Sequence, residues 1–93
     1  MSPTVPELRN GIRTAVGRFE REVDAPFTKE ELAAIANETG YAAEGGVPPS
    51  KSRMRAGIRW RVEVSESEEA AGDGPFTKGE LRTIADHLDA RFE

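Results

Sequence analysis

The sequence predicts an all-α domain, built by tandem duplication of a helical pair into a four-helix arrangement with approximate two-fold symmetry. Three observations carry this. Two blocks of sequence recur in the same order, each copy of the second block opens on a helix-capping box, and apolar residues follow at helical spacing. In the first block, Leu8 to Val16 matches Met54 to Val62, with five of nine positions identical. In the second, Pro26 to Ala36 matches Pro75 to Ala85, with eight of eleven identical. The offsets are 46 and 49, so the second copy carries three extra residues between its blocks. The repeat units run over about 3–45 and 49–93 of a single domain spanning 1–93. A unit of about 40 residues buries too little apolar surface to fold alone, and two units cover each other.

The first element follows from Thr4 and Glu7, which form a capping box with Pro6 tolerated in the first turn. Leu8, Ile12, Ala15, Val16, Phe19 and Val23 then share one helical face. The second begins at Thr28, with Glu31 three residues on; Phe27 and Leu32 fit the hydrophobic staple that fixes the chain's entry. Leu32, Ile35 and Ala36 form its apolar face, and Gly40 suits a left-handed cap. A joint rich in glycine and proline occupies about 40–50.

The third element has two readings. Met54, Ile58 and Val62 keep the helical stripe, and descent from one unit favours a helix. Ile58, Trp60, Val62 and Val64 also alternate with Arg59, Arg61 and Glu63, so residues 57–65 as a strand, in an α+β fold, is the alternative. A helix leaves Trp60 off the stripe and partly exposed. Gly11 and Gly57 occupy equivalent positions, which a close helix crossing explains as well as simple inheritance does. Ser65 to Gly74 reads as an exposed loop. The fourth element starts at Thr77 with Glu80 and the Phe76–Leu81 staple, and Leu81, Ile84, Ala85, Leu88 and Phe92 extend its stripe.

Composition bounds the function. The 93 residues contain no cysteine and one histidine, which removes disulfides, thiolate chemistry and multi-histidine metal clusters. Leu, Ile, Val and Phe make up just under a fifth of the chain, so the core is thin. The N-terminal residues lack a basic region followed by an apolar run, and no window approaches the roughly 18 apolar residues that span a bilayer. A cytoplasmic location and no membrane association are expected. Arginine outnumbers lysine 10 to 3, acids outnumber bases 17 to 13, and alanine is the commonest apolar residue. In this the chain resembles the small proteins of haloarchaea. The resemblance implies adaptation to high salt, where screening weakens charge repulsion, and implies no activity.

Charge points to candidate contact residues. Pro49 to Val62 holds Lys51, Arg53, Arg55, Arg59 and Arg61 and no acid, whereas Glu63 to Glu93 holds nine acids against three bases. Arg9 and Arg13 are the counterparts of Arg55 and Arg59. Two such rows suit contact with phosphates or with a partner, and Trp60 adds a stacking surface. The competing structural reading pairs the arginines with the acidic helices and uses Trp60 to cover the core. Residues 31–40 also resemble the first helix and turn of a helix-turn-helix, which makes the arginine-rich helix after Ser50 the reading element. Nine residues separate Gly40 from Ser50, however, where that motif takes three or four.

No Ser-His-Asp spacing, phosphate-binding glycine loop or metal-ligand cluster is present, and Glu31 and Glu80 are occupied as caps. The expectation is a non-enzymatic interaction domain without cofactor or small-molecule ligand, acting through a protein partner or self-association. The alternative is a helix-turn-helix-like nucleic-acid-binding regulator.

Overall fold

The computed structural model describes residues 3–22, 25–41, 49–67 and 70–90. Those residues form four α-helices: α1 (Val5–Ala15), α2 (Lys29–Thr39), α3 (Lys51–Arg61) and α4 (Lys78–His87). No strand occurs among them, so the class is all-α, and residues 57–65 are helix followed by turn. Val23, Phe92 and most of the expected joint (42–48) lie outside the described residues.

Four side chains start the four helices. Thr4, Thr28 and Thr77 each accept a hydrogen bond from the N–H of the glutamate three residues on, and each glutamate accepts from the threonine N–H in return. Ser50 caps α3 by accepting from Arg53 N–H at 3.3 Å. Alignment of equivalent ends is equally close at the C-termini. Gly17 and Glu63 follow α1 and α3 with φ of 78° and 66°, and Gly40 and Asp89 follow α2 and α4 with φ of 90° and 53°. At the first pair, Arg18 N–H donates to Arg13 O at 2.7 Å and Val64 N–H to Arg59 O at 2.8 Å. At the second, Tyr41 N–H donates to Ala36 O at 2.8 Å and Ala90 N–H to Ala85 O at 2.9 Å. These bonds satisfy carbonyls that the helix ends leave open.

The left-handed stops shorten two elements relative to the sequence reading. The α1 stripe ends at Gly17, and Phe19 is 89% exposed instead of packed. The last helix turns off at Asp89 and does not run on towards Phe92.

Packing runs between the halves of the chain. Helix α1 lies along α4 and α2 along α3, with a smaller α1–α2 contact. The core is made of matched pairs: Leu8 with Met54, Ile12 with Ile58, Leu32 with Leu81, Ile35 with Ile84, and Ala36 with Ala85, all buried. At its edge the Phe27 and Phe76 rings meet edge-to-face, centroids 6.3 Å apart. The two staple aromatics therefore pack against each other as well as anchoring their own helices. Gly57 does mark a close approach, but to a ring: a Cβ there would lie 2.5 Å from Tyr41.

Candidate functional site

Each half carries a buried arginine that ties its connecting segment to the next helix. Arg13 on α1 donates from Nε to Glu31 Oε2 at 3.0 Å, and from Nη1 to Asn10 Oδ1 at 2.8 Å. Its Nη2 donates to Ala25 O at 2.7 Å. Arg59 on α3 donates from Nε and Nη2 to the two Glu80 oxygens at 2.8 and 3.1 Å. Its Nη2 also reaches Gly74 O at 2.7 Å and Pro75 O at 2.9 Å, and its Nη1 donates to Gly72 O. The guanidinium groups lie over Phe27 and Phe76, at 5.2 and 4.7 Å from the ring centroids.

Two of the arginines marked by the sequence as contact residues are therefore interior. Arg13 is 1% and Arg59 5% exposed, and their donors are taken by carboxylates and backbone carbonyls. Neither presents a charge to phosphate or to a partner. The structural reading of the rows, arginine against acidic helix, holds for these two. Glu31 and Glu80 have a second role beyond capping: each is the counter-charge of a buried guanidinium. The Phe27 and Phe76 rings cover both.

The electrostatics follow from this arrangement. Burial works to raise the Glu31 pKa, but donation from Thr28 N–H and the charges of Arg13 and Arg21 outweigh it, and the carboxyl is held below its ordinary value. Glu80 is lowered first by the hydrogen bond from Arg59, against burial, with help from Thr77. Both remain carboxylates throughout the neutral range. Groups locked in this way are poor proton shuttles; they serve as fixed struts.

The other marked residues are nearer the surface. Lys51, Arg53, Trp60 and Arg61 are exposed, and Arg9 and Arg55 are half-buried. Trp60 is 38% exposed, as its position off the helical stripe predicts, and the Arg61 guanidinium lies 5.3 Å from its ring centroid. Beside it Val64 is 40% exposed. Trp60 and Val64 border an open, shallow depression of about 530 Å³, with Arg61, Glu63 and Glu66 at its margin.

Arg9 and Arg55 are brought together elsewhere. They border a small cleft of about 30 Å³, with Phe27, Phe76, Leu32 and Leu81 beneath them. The prolines that precede the two phenylalanines complete its walls. Every lining residue thus has its sequence counterpart in the same cleft. The charge rows identified the two arginines, and the staple identified the apolar floor. Their convergence needed the pairing of α1 with α4 and of α2 with α3.

Among the described residues no group of three or more His, Cys, Asp and Glu side chains is placed to hold a metal ion. Among those residues no helix is long and apolar enough to cross a membrane. The class that the fold defines is a small all-α domain with two buried arginine–glutamate ties. Comparison of the chain with protein-family models, curated proteins and solved structures finds no match.

Proposed function

We propose that this chain is a small non-enzymatic interaction module, acting through a protein partner or through self-association. The observation that carries the reading is the exposed Trp60–Val64 surface on and after α3, with Arg61 stacked on the indole. Tryptophan and arginine are the residue types that most often anchor protein interfaces. A half-exposed indole on a domain with so thin a core is surface that the fold itself does not use. The reading extends to a cytoplasmic protein whose halves descend from one duplicated unit, which the matched caps, stops and buried arginines support.

The second reading, a helix-turn-helix-like nucleic-acid-binding regulator, rests on Lys51 and Arg53, which are exposed in the first turn of α3. It has lost Arg59 to the interior, and a chain of net charge −4 repels a polyanion.

A photoreactive benzoylphenylalanine at position 60 separates the two. The proposal expects protein adducts from position 60, to a second copy or to a partner, and none from the same group at position 30. For the isolated complex, Trp60→Ser is expected to weaken binding by about 30-fold or more, the range of an aromatic hot spot. Absence of protein adducts, together with duplex binding that Lys51→Glu and Arg53→Glu abolish, overturns it.

A further inference from the structure

We propose that the depression beside Trp60 receives a basic segment of another protein, which seats an apolar side chain against Trp60 and Val64 and pairs a lysine or arginine with Glu63 and Glu66. The inference rests on the interaction reading above and names the partner's chemistry. Three observations meet there. First, apolar and acidic residues border one open depression of about 530 Å³: Trp60 and Val64 with Glu63 and Glu66, all exposed. Among the described residues no cation pairs with either carboxylate, unlike Glu31 and Glu80, which hold Arg13 and Arg59. Second, the margin is built in place. Val64 N–H and Ser65 N–H both donate to Arg59 O, at 2.8 and 3.2 Å, so the rim hangs from the backbone of the buried arginine. Ser65 Oγ donates to Ser67 O at 2.9 Å, and Ser67 Oγ accepts from Ala70 N–H at 3.1 Å. These bonds fix the chain on either side of Glu66, and a rim ordered beforehand loses less freedom on binding. Third, Glu63 stands at φ 66°, where its counterpart in the first half is Gly17. That region is costly for an L-residue, and strain of this kind clusters at binding sites.

Charge selects the occupant. Of the residues that border the depression Arg61 alone is basic, and its guanidinium has other contacts. Its Nε donates to Thr39 O at 3.5 Å, and the group lies over the Trp60 ring. The carbonyls that end α2 carry the partial negative charge of a helix C-terminus, which offsets a cation placed there. The charges left for a partner are the two carboxylates. They belong to a longer acidic stretch: Glu63 to Asp73 holds five acids and no base. A second copy brings the same acidic margin and a net charge of −4, and a nucleic acid brings phosphates, so both are repelled. A basic segment is attracted, and complementary charge also steers its approach. An open depression suits a segment lying across it better than it suits an enclosed small molecule. Pairs made against the apolar floor are partly desolvated, and salt screens those less than fully exposed pairs.

Trp60 is the sole tryptophan of the chain, so its emission reports on this site. The probe is a short acetylated peptide of alternating lysine and leucine. Titrated into the intact chain, it should move the Trp60 emission to shorter wavelength and saturate. The same peptide with glutamate in place of lysine should not bind. Glu63→Gln and Glu66→Gln should each weaken binding about two- to fivefold, the range of a rim ion pair, and the double variant should weaken it further. Glu30→Gln, exposed on α2 and outside the depression, should leave it unchanged. Trp60→Ser removes the reporter, so its binding is followed by anisotropy of a fluorescein-labelled peptide; it should weaken about 30-fold. A circular dichroism spectrum and unfolding midpoint for each variant confirm that the fold is retained. No saturable binding of the lysine peptide, equal binding of the glutamate peptide, or binding untouched by the double variant overturns the basic partner. If Trp60→Ser still weakens binding in those cases, or removes a self-association seen by sedimentation, the interaction surface stands and only the choice of partner falls. Binding untouched by Trp60→Ser overturns both.

Discussion

The first and second halves of the chain solve one problem with different means. Each must hold an irregular segment against the start of the following helix, and the second half must do so with three more residues. In the first half three side chains share the work. Asn10 accepts from Arg21 N–H and donates to Arg21 O, Arg13 takes Ala25 O, and Arg21 adds a second cation to Glu31 at 3.3 Å. In the second half Ala56 stands where Asn10 would be; Arg59 collects three backbone carbonyls as well as both oxygens of Glu80, and Arg55 takes Asp73 O. The bonds common to both halves are those nearest the capped helix: Ala25 O and Gly74 O are equivalent positions, each 2.7 Å from its arginine. Length is absorbed upstream of that point. An insertion is tolerated where backbone carbonyls can be gathered by a long, five-donor side chain, and the arginine–glutamate tie itself stays fixed.

The largest effect comes from breaking those ties. Removing one partner of a buried pair strands the other and costs about 3–5 kcal/mol. Arg13→Met should approach that range, because the Glu31 side chain is only 7% exposed and its remaining cation, Arg21, is 44% exposed and screened by water. Arg59→Met should cost less, since the Glu80 side chain is 21% exposed and regains water. Denaturant midpoints measure both. Arg13→Met combined with Glu31→Gln, which keeps the cap and removes the stranded charge, should recover part of the loss. Equal losses for the two arginines would show that exposure of the partner carboxylate does not set the difference.

Acid offers a milder way to open the same ties. The folded-state pKa values of Glu31 and Glu80 lie below the ordinary value of about 4.5. Their contribution is therefore complete above that value and is lost as the pH falls through the folded pKa values. Unfolding midpoints should be level from about pH 7 down to about pH 5 and decline below, by the same linkage. Glu31→Gln should lower the plateau and flatten the acid limb. Parallel acid limbs for the parent and Glu31→Gln chains would mean that Glu31 does not contribute to it.

Much of this was legible in the residues. Thr4, Thr28 and Thr77 with their glutamates announce three helix starts because capping is local, set by side chains three residues apart. The edge position of Trp60 follows from its angle to the Met54–Ile58–Val62 stripe. What is not legible there is of two kinds. Phe19 continues the apolar period of α1 and is expected from it to pack, yet Gly17 turns the chain away two residues earlier; periodicity alone reads through that stop signal. Pairing of the arginine rows with the acidic helices is the structural reading the sequence offers, but which arginines it takes inward, Arg13 and Arg59, is not marked, because nothing local tells a buried arginine from an exposed one. Their burial depends on Glu31 and Glu80, 18 and 21 residues away. The cleft shared by Arg9 and Arg55 was hidden for the same reason, being made only when α1 and α3 are held by helices from the opposite halves.

The finest difference between the halves lies at the helix stops. The first half places glycine at both left-handed positions, Gly17 and Gly40, while the second places Glu63 and Asp89 in the same backbone conformation. For an L-residue that region costs roughly 1–2 kcal/mol through the clash of Cβ with the following carbonyl. Aspartate tolerates it better than glutamate, because its short polar side chain can bond locally. Glycine removes the clash but loses more chain entropy on folding, about 0.5–1 kcal/mol. Glu63→Gly should therefore stabilise the domain by a net ~0.5–1 kcal/mol. Asp89→Gly should gain less, and Gly17→Ala should destabilise by about the amount that Glu63→Gly gains. The expected order of midpoints is Glu63→Gly, then Asp89→Gly, then the parent chain, then Gly17→Ala. A Glu63→Gly chain no more stable than the parent would show that Glu63 makes a compensating contact in the folded state. The two halves would then differ at this stop by design of the side chain, and not by tolerated strain.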